Sequence, residues 1–458
     1  MLPGLIKAAK WLSLAVVSLA LLLLAAWFLI PDEDLHAEVF QILNAQPSIP
    51  PEQNSFYAMW GFKAAPSLAP HIVGRKILET LNQAHTQHRK VTEADLQEFW
   101  GVPQLKIDST GMRFCKMDAV ECLPQLRAAR EKIESSEREF DLYVRRYHAL
   151  RDYPDFEEVL PASLDIPMVD FSDFVALSDL TDARVALDMG DKAKQKEALR
   201  NLAAELKLWR KIGQNAHSLV TKIIAASVLQ RKFKLASELL TEAPEIAVQH
   251  SELLVEITRP LTAIEASVSR TLTGELRLTS GVFLGLADER EIDGSNALGS
   301  IPGRLLMIGT FKPNATINLQ YTLYSAQREF YAQPASIVAE KTSAFLAELN
   351  DFSPLSPRTL FYNPVGKVLV YVSPLDWSKY VYAMHDLTAY TRLVELQRRI
   401  AAARIGIDEI PAFVATDDSL RNPYTGKPMR WDAQSQTLSL QGYGKARDTL
   451  VIRVGIDR

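Results

Sequence analysis

The chain has 458 residues, with 51 Lys and Arg against 55 Asp and Glu for a formal charge of -4. That length allows two or three domains, and a hydrophobic share of 47% supports a sizeable core. Acids and bases are mixed along the chain, which excludes the concentrated basic face that nucleic acid demands and gives no polybasic membrane-surface patch.

The first element is an apolar run over residues 11–30, WLSLAVVSLALLLLAAWFLI, with no charge and only Ser13 and Ser18 as polar interruptions. As a helix it would be roughly 30 Å long, matching a bilayer's hydrocarbon core, and its side chains favour insertion by roughly 5 kcal/mol. Lys7 and Lys10 precede it, Asp32, Glu33 and Asp34 follow, and Trp11 and Trp27 stand near its ends, where interfacial indoles belong. The lysines hold the N-terminus in the cytoplasm and deliver the rest across the membrane, so the bilayer is the expected partner of residues 11–30. A cleaved signal peptide would have a shorter apolar region and a small-x-small exit. This run ends Trp27-Phe28-Leu29-Ile30 with no Ala-x-Ala, which predicts an uncleaved anchor.

Residues 31–70 carry Pro47, Pro50, Pro51, Pro66 and Pro70, the spacing of an extended leader that lifts the body off the membrane. Inside it, Phe56-Tyr57-Ala58-Met59-Trp60-Gly61-Phe62 reads as the segment that docks the leader onto the first domain; a ligand-binding or membrane-grazing patch is the alternative. Residues 72–88 predict a helix, and Thr92-Glu93-Ala94-Asp95 a capping sequence for a second. His85 and His88 are three apart, but no acidic or cysteine partner accompanies them, and no metal site is expected. Cys115 and Cys122 lie beyond the anchor, where an oxidising compartment lets them pair. Closing that loop would contribute roughly 2–3 kcal/mol. Two free thiols, or half a metal site, are the competing readings, although zinc usually spaces its cysteines by two to four residues.

A long helix is predicted from Pro124, with Leu126, Ala129, Ile133, Phe140, Tyr143, Val144, Tyr147 and Leu150 on one stripe and Glu134–Arg138 and Asp141–Arg145 as outer pairs. Pro154, Pro161 and Pro167 end it. Residues 172–273 read as helical almost throughout, in hairpins joined by Gly190-Asp191 and by a basic turn at Arg231-Lys232. A loose recurrence of about 40 residues resembles stacked helix pairs such as tetratricopeptide repeats, but their Trp-x-x-Leu-Gly-x-x-Tyr core is missing. The expectation is an irregular helical-hairpin body, with solenoid-like stacking as an option. The glycine-rich stretch 281–313 contains neither the phosphate-loop pattern nor the dinucleotide fingerprint, so it is expected to be a long loop and no cofactor is expected. After further helix over 319–350, residues 368–372 form a strand or a buried helical turn, and 376–404 a helix. Pro423 and Gly426 fit a turn, Leu438 and Leu440 alternate as on a strand, and residues 449–455 offer a last strand.

The whole is a mainly α chain: tail and anchor at 1–30, leader at 31–70, helical domain at 71–350, and a small α+β module at 351–458. That module, with Asn422-Pro423-Tyr424-Thr425-Gly426-Lys427-Pro428 between a helix and a short strand, resembles a terminal motif with pseudopilin-like character. In pseudopilins the membrane helix runs directly into such a module; here hundreds of residues intervene, so fibre assembly is not implied. The anchor, the Asn54-Ser55-Phe56-Tyr57 leader, the cysteine pair and the Arg145-Arg146-Tyr147 helix are similar to proteobacterial single-pass inner-membrane proteins with a large periplasmic helical region. That resemblance implies a compartment and a fold class and transfers no catalytic residue.

No Gly-x-Ser-x-Gly elbow is present, and His217, His250 and His385 stand alone with no His-Glu-x-x-His. Asp288-Glu289-Arg290-Glu291 and Asp417-Asp418 read as solvated loop acids. Two functional expectations follow. One is a membrane-anchored helical scaffold that binds another envelope protein or a glycan without chemistry. The other is an envelope hydrolase, glycan- or peptide-directed, whose carboxylates converge only in the fold.

Overall fold

The computed structural model describes residues 2–87, 89, 91–92, 95–96, 99, 114, 122–159, 167–287, 307, 309–349, 361–373, 376–443 and 449–455. Its elements are almost all helices. They begin with α1 (Leu2–Leu29), α2 (Ala37–Leu43), α3 (Ser55–Trp60), α4 (Pro70–Thr86), α5 (Leu123–Ala128), α6 (Arg130–Glu139) and α7 (Asp141–Ala149). The middle comprises α8 (Phe171–Asp188), α9 (Gln195–Asn215), α10 (Leu219–Glu242), α11 (Ile246–Gln249), α12 (Ser251–Thr258), α13 (Ala263–Ala266) and α14 (Ser269–Ala287). Then come α15 (Pro313–Tyr331), α16 (Ala335–Leu349), α17 (Pro364–Val372), α18 (Ser378–Ala403) and α19 (Ile410–Thr416). A three-stranded antiparallel meander closes the chain: β1 (Arg430–Asp432), β2 (Thr437–Gln441) and β3 (Thr449–Arg453).

Among the described residues, α1 alone is long and apolar enough to cross a membrane. Its segment Ala9–Leu29 has a mean hydropathy of 2.6 and buries none of it inside the protein. A helix with no polar face, exposed along most of its length, is compatible with a single membrane span.

The stretch after α1 is docked, where its prolines predict a stand-off leader. The Asp32 carboxylate accepts the backbone N–H groups of Asn314 (2.9 Å) and Ala315 (3.0 Å), orphan donors of the first turn of α15. Asn318, one turn on, donates to the Asp34 carbonyl at 2.8 Å and accepts the His36 N–H at 3.0 Å. Tyr362 donates its hydroxyl to the Pro31 carbonyl, and the Phe28 ring lies against Gly309. Further along, Asn54 caps α3, and Phe56, Tyr57, Met59, Trp60 and Phe62 are buried in the main core, as their aromatic density predicts. Glycines at the α3–α4 crossing permit this close packing: a Cβ on Gly74 would lie 1.7 Å from the Tyr57 carbonyl oxygen.

The helix expected from Pro124 bends twice, where Ala129 (φ -87°, ψ 13°) and Phe140 (φ -104°, ψ 21°) leave helical geometry, and so becomes α5, α6 and α7. The hairpin at Gly190-Asp191 is present between α8 and α9. The basic turn at Arg231-Lys232 is not: α10 runs unbroken through it, and Lys232 is completely buried. Part of the expected glycine-rich loop is also helical, since α14 continues through Gly281 and Gly285, and residues 368–372 belong to α17. Residues 288–306 lie outside the described residues.

Helix α18 joins the body to the C-terminal module by being apolar on two sides. Val381, Met384, Leu387 and Val394 belong to the main core, while Ala389, Leu393, Leu396 and Ile400 pack with Ile410, Val414, Leu438, Leu440 and Ile452. On β2, Leu438 pairs with Ile452 and Leu440 with Leu450, which keeps the alternating apolar face toward α18. The boundary at 351 therefore separates composition, and the packing crosses it.

Candidate functional site

Two places concentrate charge. The first lies inside the body, between α7, α8, α9 and α10. Glu205 has no exposed surface and accepts five donors: the Tyr147 hydroxyl (2.6 Å), Arg151 Nε (3.0 Å) and Nη2 (2.7 Å), Lys232 Nζ (3.0 Å) and, more weakly, the Ser178 hydroxyl (3.4 Å). The same Lys232 ammonium reaches Asp182 at 2.7 Å, and Trp209 donates to the Tyr147 oxygen at 2.9 Å. Burial acts to raise the Glu205 pKa, but Lys232, Arg151 and the Tyr147 hydroxyl outweigh it and hold it at about 2. For Asp182 burial wins, Lys232 being shared and the Glu205 charge adding to the shift, and its pKa rises to about 6. Carboxylates do converge here, around one ammonium, but Glu205 and Lys232 are closed to solvent. A substrate has no approach to them, so the arrangement can hold helices together and cannot meet a scissile bond.

The second place is open. A cavity of about 740 Å³ lies between α2, α14, α15, the turn from α9 to α10 and the α13 region. Residues Arg270, Thr273, Gly274 and Arg277 of α14 line one wall; Arg270 and Arg277 are seven apart, on one helix face. Tyr321 and Arg328 of α15, also seven apart, face them, and Glu38, Gln41 and Ile42 of α2 close another side. His217 and Ile264 complete it. The close fit rests on Gly274, where a Cβ would come within 2.0 Å of the His217 carbonyl oxygen. Three guanidinium groups thus face one carboxylate, that of Glu38.

None of these three cations forms an ion pair among the described residues. Arg277 Nε is buried without a hydrogen-bond partner, and burial lowers the Arg277 pKa, with Glu157 acting in the opposite sense. Arg328 forms no ion pair or hydrogen bond through its guanidinium among the described residues; Arg270 donates to the neutral Asn215 side chain at 2.6 Å. Burial also lowers the His217 pKa against the pull of Glu158, which favours a neutral imidazole. A second cavity, of about 430 Å³, makes the contrast. Its Arg210 and Arg259 both bind Glu265, at 3.1 and 2.7 Å, and its Lys211 donates to the Tyr153 carbonyl.

Of the residues singled out in the sequence, Lys7, Lys10 and Trp11 lie toward the start of α1 and Trp27 near its end. Trp11 is 70% exposed, as a lipid-facing indole requires. Cys122 precedes α5, its N–H donating to Glu238 at 2.8 Å, and Cys115 lies outside the described residues. His85 is on α4, and His88 also lies outside them; among the described residues no three potential metal ligands cluster. His385 is half-buried, its pKa carried down to about 4 by burial, and His250 sits at the N-terminal end of α12. The arginines of the cavity carry no motif; the signals in the sequence were the seven-residue spacings of Arg270 and Arg277 on α14 and of Tyr321 and Arg328 on α15. Compared with protein-family models, with curated proteins and with solved structures, the chain matches none.

Proposed function

We propose that the chain is a membrane-anchored binding scaffold of the bacterial envelope, with its N-terminus in the cytosol, its bulk in the periplasm, and its binding site in the cavity beside the anchor. The observation that carries this reading is the seam between anchor and body: Asp32, Asp34 and His36 are bonded to α15, and the cavity is walled by α2 on one side and α14 and α15 on the other. A body fixed to the exit of its own membrane helix presents that cavity at a set height above the lipid. Lys7 and Lys10 at the start of α1 favour the cytosolic side for the N-terminus. In the compartment so reached, Cys115 and Cys122 would pair. The partner is an envelope component, protein, glycan or lipid, that enters the cavity.

The test joins topology to contact. Alkaline phosphatase fused after residue 458 is expected to be active, and the fusion to sediment with membranes. A photo-crosslinking residue at Ile264, which is 70% exposed on the cavity rim, is expected to trap an envelope component that the same residue at Glu79 on α4 does not. An inactive fusion, or identical adducts at both positions, overturns the proposal.

A further inference from the structure

Resting on the tethered-scaffold reading, we infer that the cavity between α2, α14 and α15 takes an amphiphile with an anionic head, a phosphate or carboxylate joined to an apolar chain. The head is called for by charge: Arg270, Arg277 and Arg328 converge on a space that offers only Glu38 in return. A guanidinium presents a planar fork of donors that matches the oxygens of phosphate or carboxylate in pairs. Arg277 agrees with this: its side chain lines the cavity, and its Nε has no acceptor among the described residues. The Arg210 and Arg259 pair shows that this chain can bind guanidinium groups directly with its own glutamate; Arg277 has no such ion pair among the described residues, Glu157 acting on it only through its charge.

The apolar part is called for by the walls. Ile264 is 70% exposed at the rim, and Ile42 and Tyr321 line the interior. The Tyr321 ring is set edge-on against His36, 6.1 Å between centroids, so a rigid aromatic face is held ready by the link that leaves the membrane. A volume of about 740 Å³ suits a molecule of lipid-headgroup size with part of its chain. Position agrees with both. Glu38 is eight residues past Ile30, so the cavity edge lies no more than about 28 Å of chain from the end of the span. Molecules that combine an anionic head with an apolar tail are most concentrated at that level.

Binding to the full-length protein in dodecyl maltoside tests the inference, with three probes: dioctanoyl phosphatidylglycerol, dioctanoyl phosphatidylcholine and glycerol phosphate. The anionic lipid is expected to bind at least tenfold more tightly than either of the others, and Arg328→Met to weaken it at least tenfold. Arg277→Met should do the same; Arg328 is only half-buried, so its variant keeps the test alive if the other does not fold. Arg145→Met, exposed and paired with Asp141 on α7, is expected to leave the affinity unchanged. Equal affinity for phosphatidylcholine would overturn the anionic head, and equal affinity for glycerol phosphate would overturn the apolar chain. No binding of any probe, or binding indifferent to Arg328, would overturn the inference as a whole. The phosphatase fusion is read independently, so a failed lipid site and a failed anchor give different results.

Discussion

Replacing Glu205 with Gln tests what holds the helical body together. The change keeps the shape and removes the charge that receives Arg151, Lys232 and the Tyr147 hydroxyl. Arg151 is left without an anion, and Lys232 keeps only Asp182. Removing one partner of a buried pair costs about 3–5 kcal/mol. A second route gives a similar size: a carboxyl group held at about 2, against an ordinary value of 4.5, stores ~3 kcal/mol at neutral pH. Because the folded pKa is depressed, this contribution is complete above pH 4.5 and drains away as pH falls through the folded value. The full-length protein and the variant should therefore be unfolded in urea, by circular dichroism, at pH 7 and again at pH 3. The expected result is a stability loss of ~3–4 kcal/mol at pH 7 that shrinks to less than half at pH 3. A loss below ~1 kcal/mol at pH 7, or one of the same size at both pH values, would refute the reasoning, since neither fits a sealed carboxylate shared by two cations.

Asp182→Asn should be far milder, costing under ~1 kcal/mol at pH 7, because Lys232 keeps Glu205. Its pKa is raised, so native stability falls as pH rises from about 4 to about 6; urea midpoints at pH 4.5 and pH 7 should lose that decline in the variant. Arg146→Lys cannot replace a fork that reaches the carbonyls of Phe62 (2.7 Å), Ala64 (2.7 Å) and Ala65 (2.9 Å), and thermal unfolding should report a loss of ~2–3 kcal/mol. Gly74→Ala would drive a methyl group into the Tyr57 carbonyl and separate α3 from α4, costing ~3 kcal/mol and exposing Trp60 to fluorescence quenchers. Alkylation of the unfolded, unreduced chain is expected to label neither Cys115 nor Cys122; two labelled thiols would exclude the bridge.

Features that depend on a residue's own neighbours were legible in the sequence. The long apolar helix α1 needs only an uninterrupted apolar run, the 56–62 cluster only its density of aromatic rings, and β2 only the alternation of Leu438 and Leu440. Features made by distant partners were not. Asp32 looks like one more acid flanking a membrane helix until the first turn of α15 supplies two N–H donors. The leader reads as extended because proline reports local stiffness and carries nothing about where the chain will rest. The α18 sequence did hold a usable sign: Leu387, Ala389, Leu393, Leu396 and Ile400 cover more than one helical face, and a helix apolar on two faces must be covered twice.

Basic residues show the limit most sharply. Arg146, Lys232 and Arg277 look alike in the sequence, each one more cation among apolar residues, and Lys232 reads there as part of a basic turn. In the fold they have three different fates. Arg146 is satisfied by three backbone carbonyls, and Lys232 by two carboxylates. Arg277 keeps a buried donor that nothing in the described chain accepts. Its guanidinium lines a cavity where Glu38 is the one carboxylate among the lining residues, so an anion entering from outside would offset part of the cost of desolvating it. That asymmetry, more than cavity size or any sequence motif, is why the arginine-lined space beside α2 is read as a place for a ligand, and the larger charge cluster around Glu205 as part of the frame.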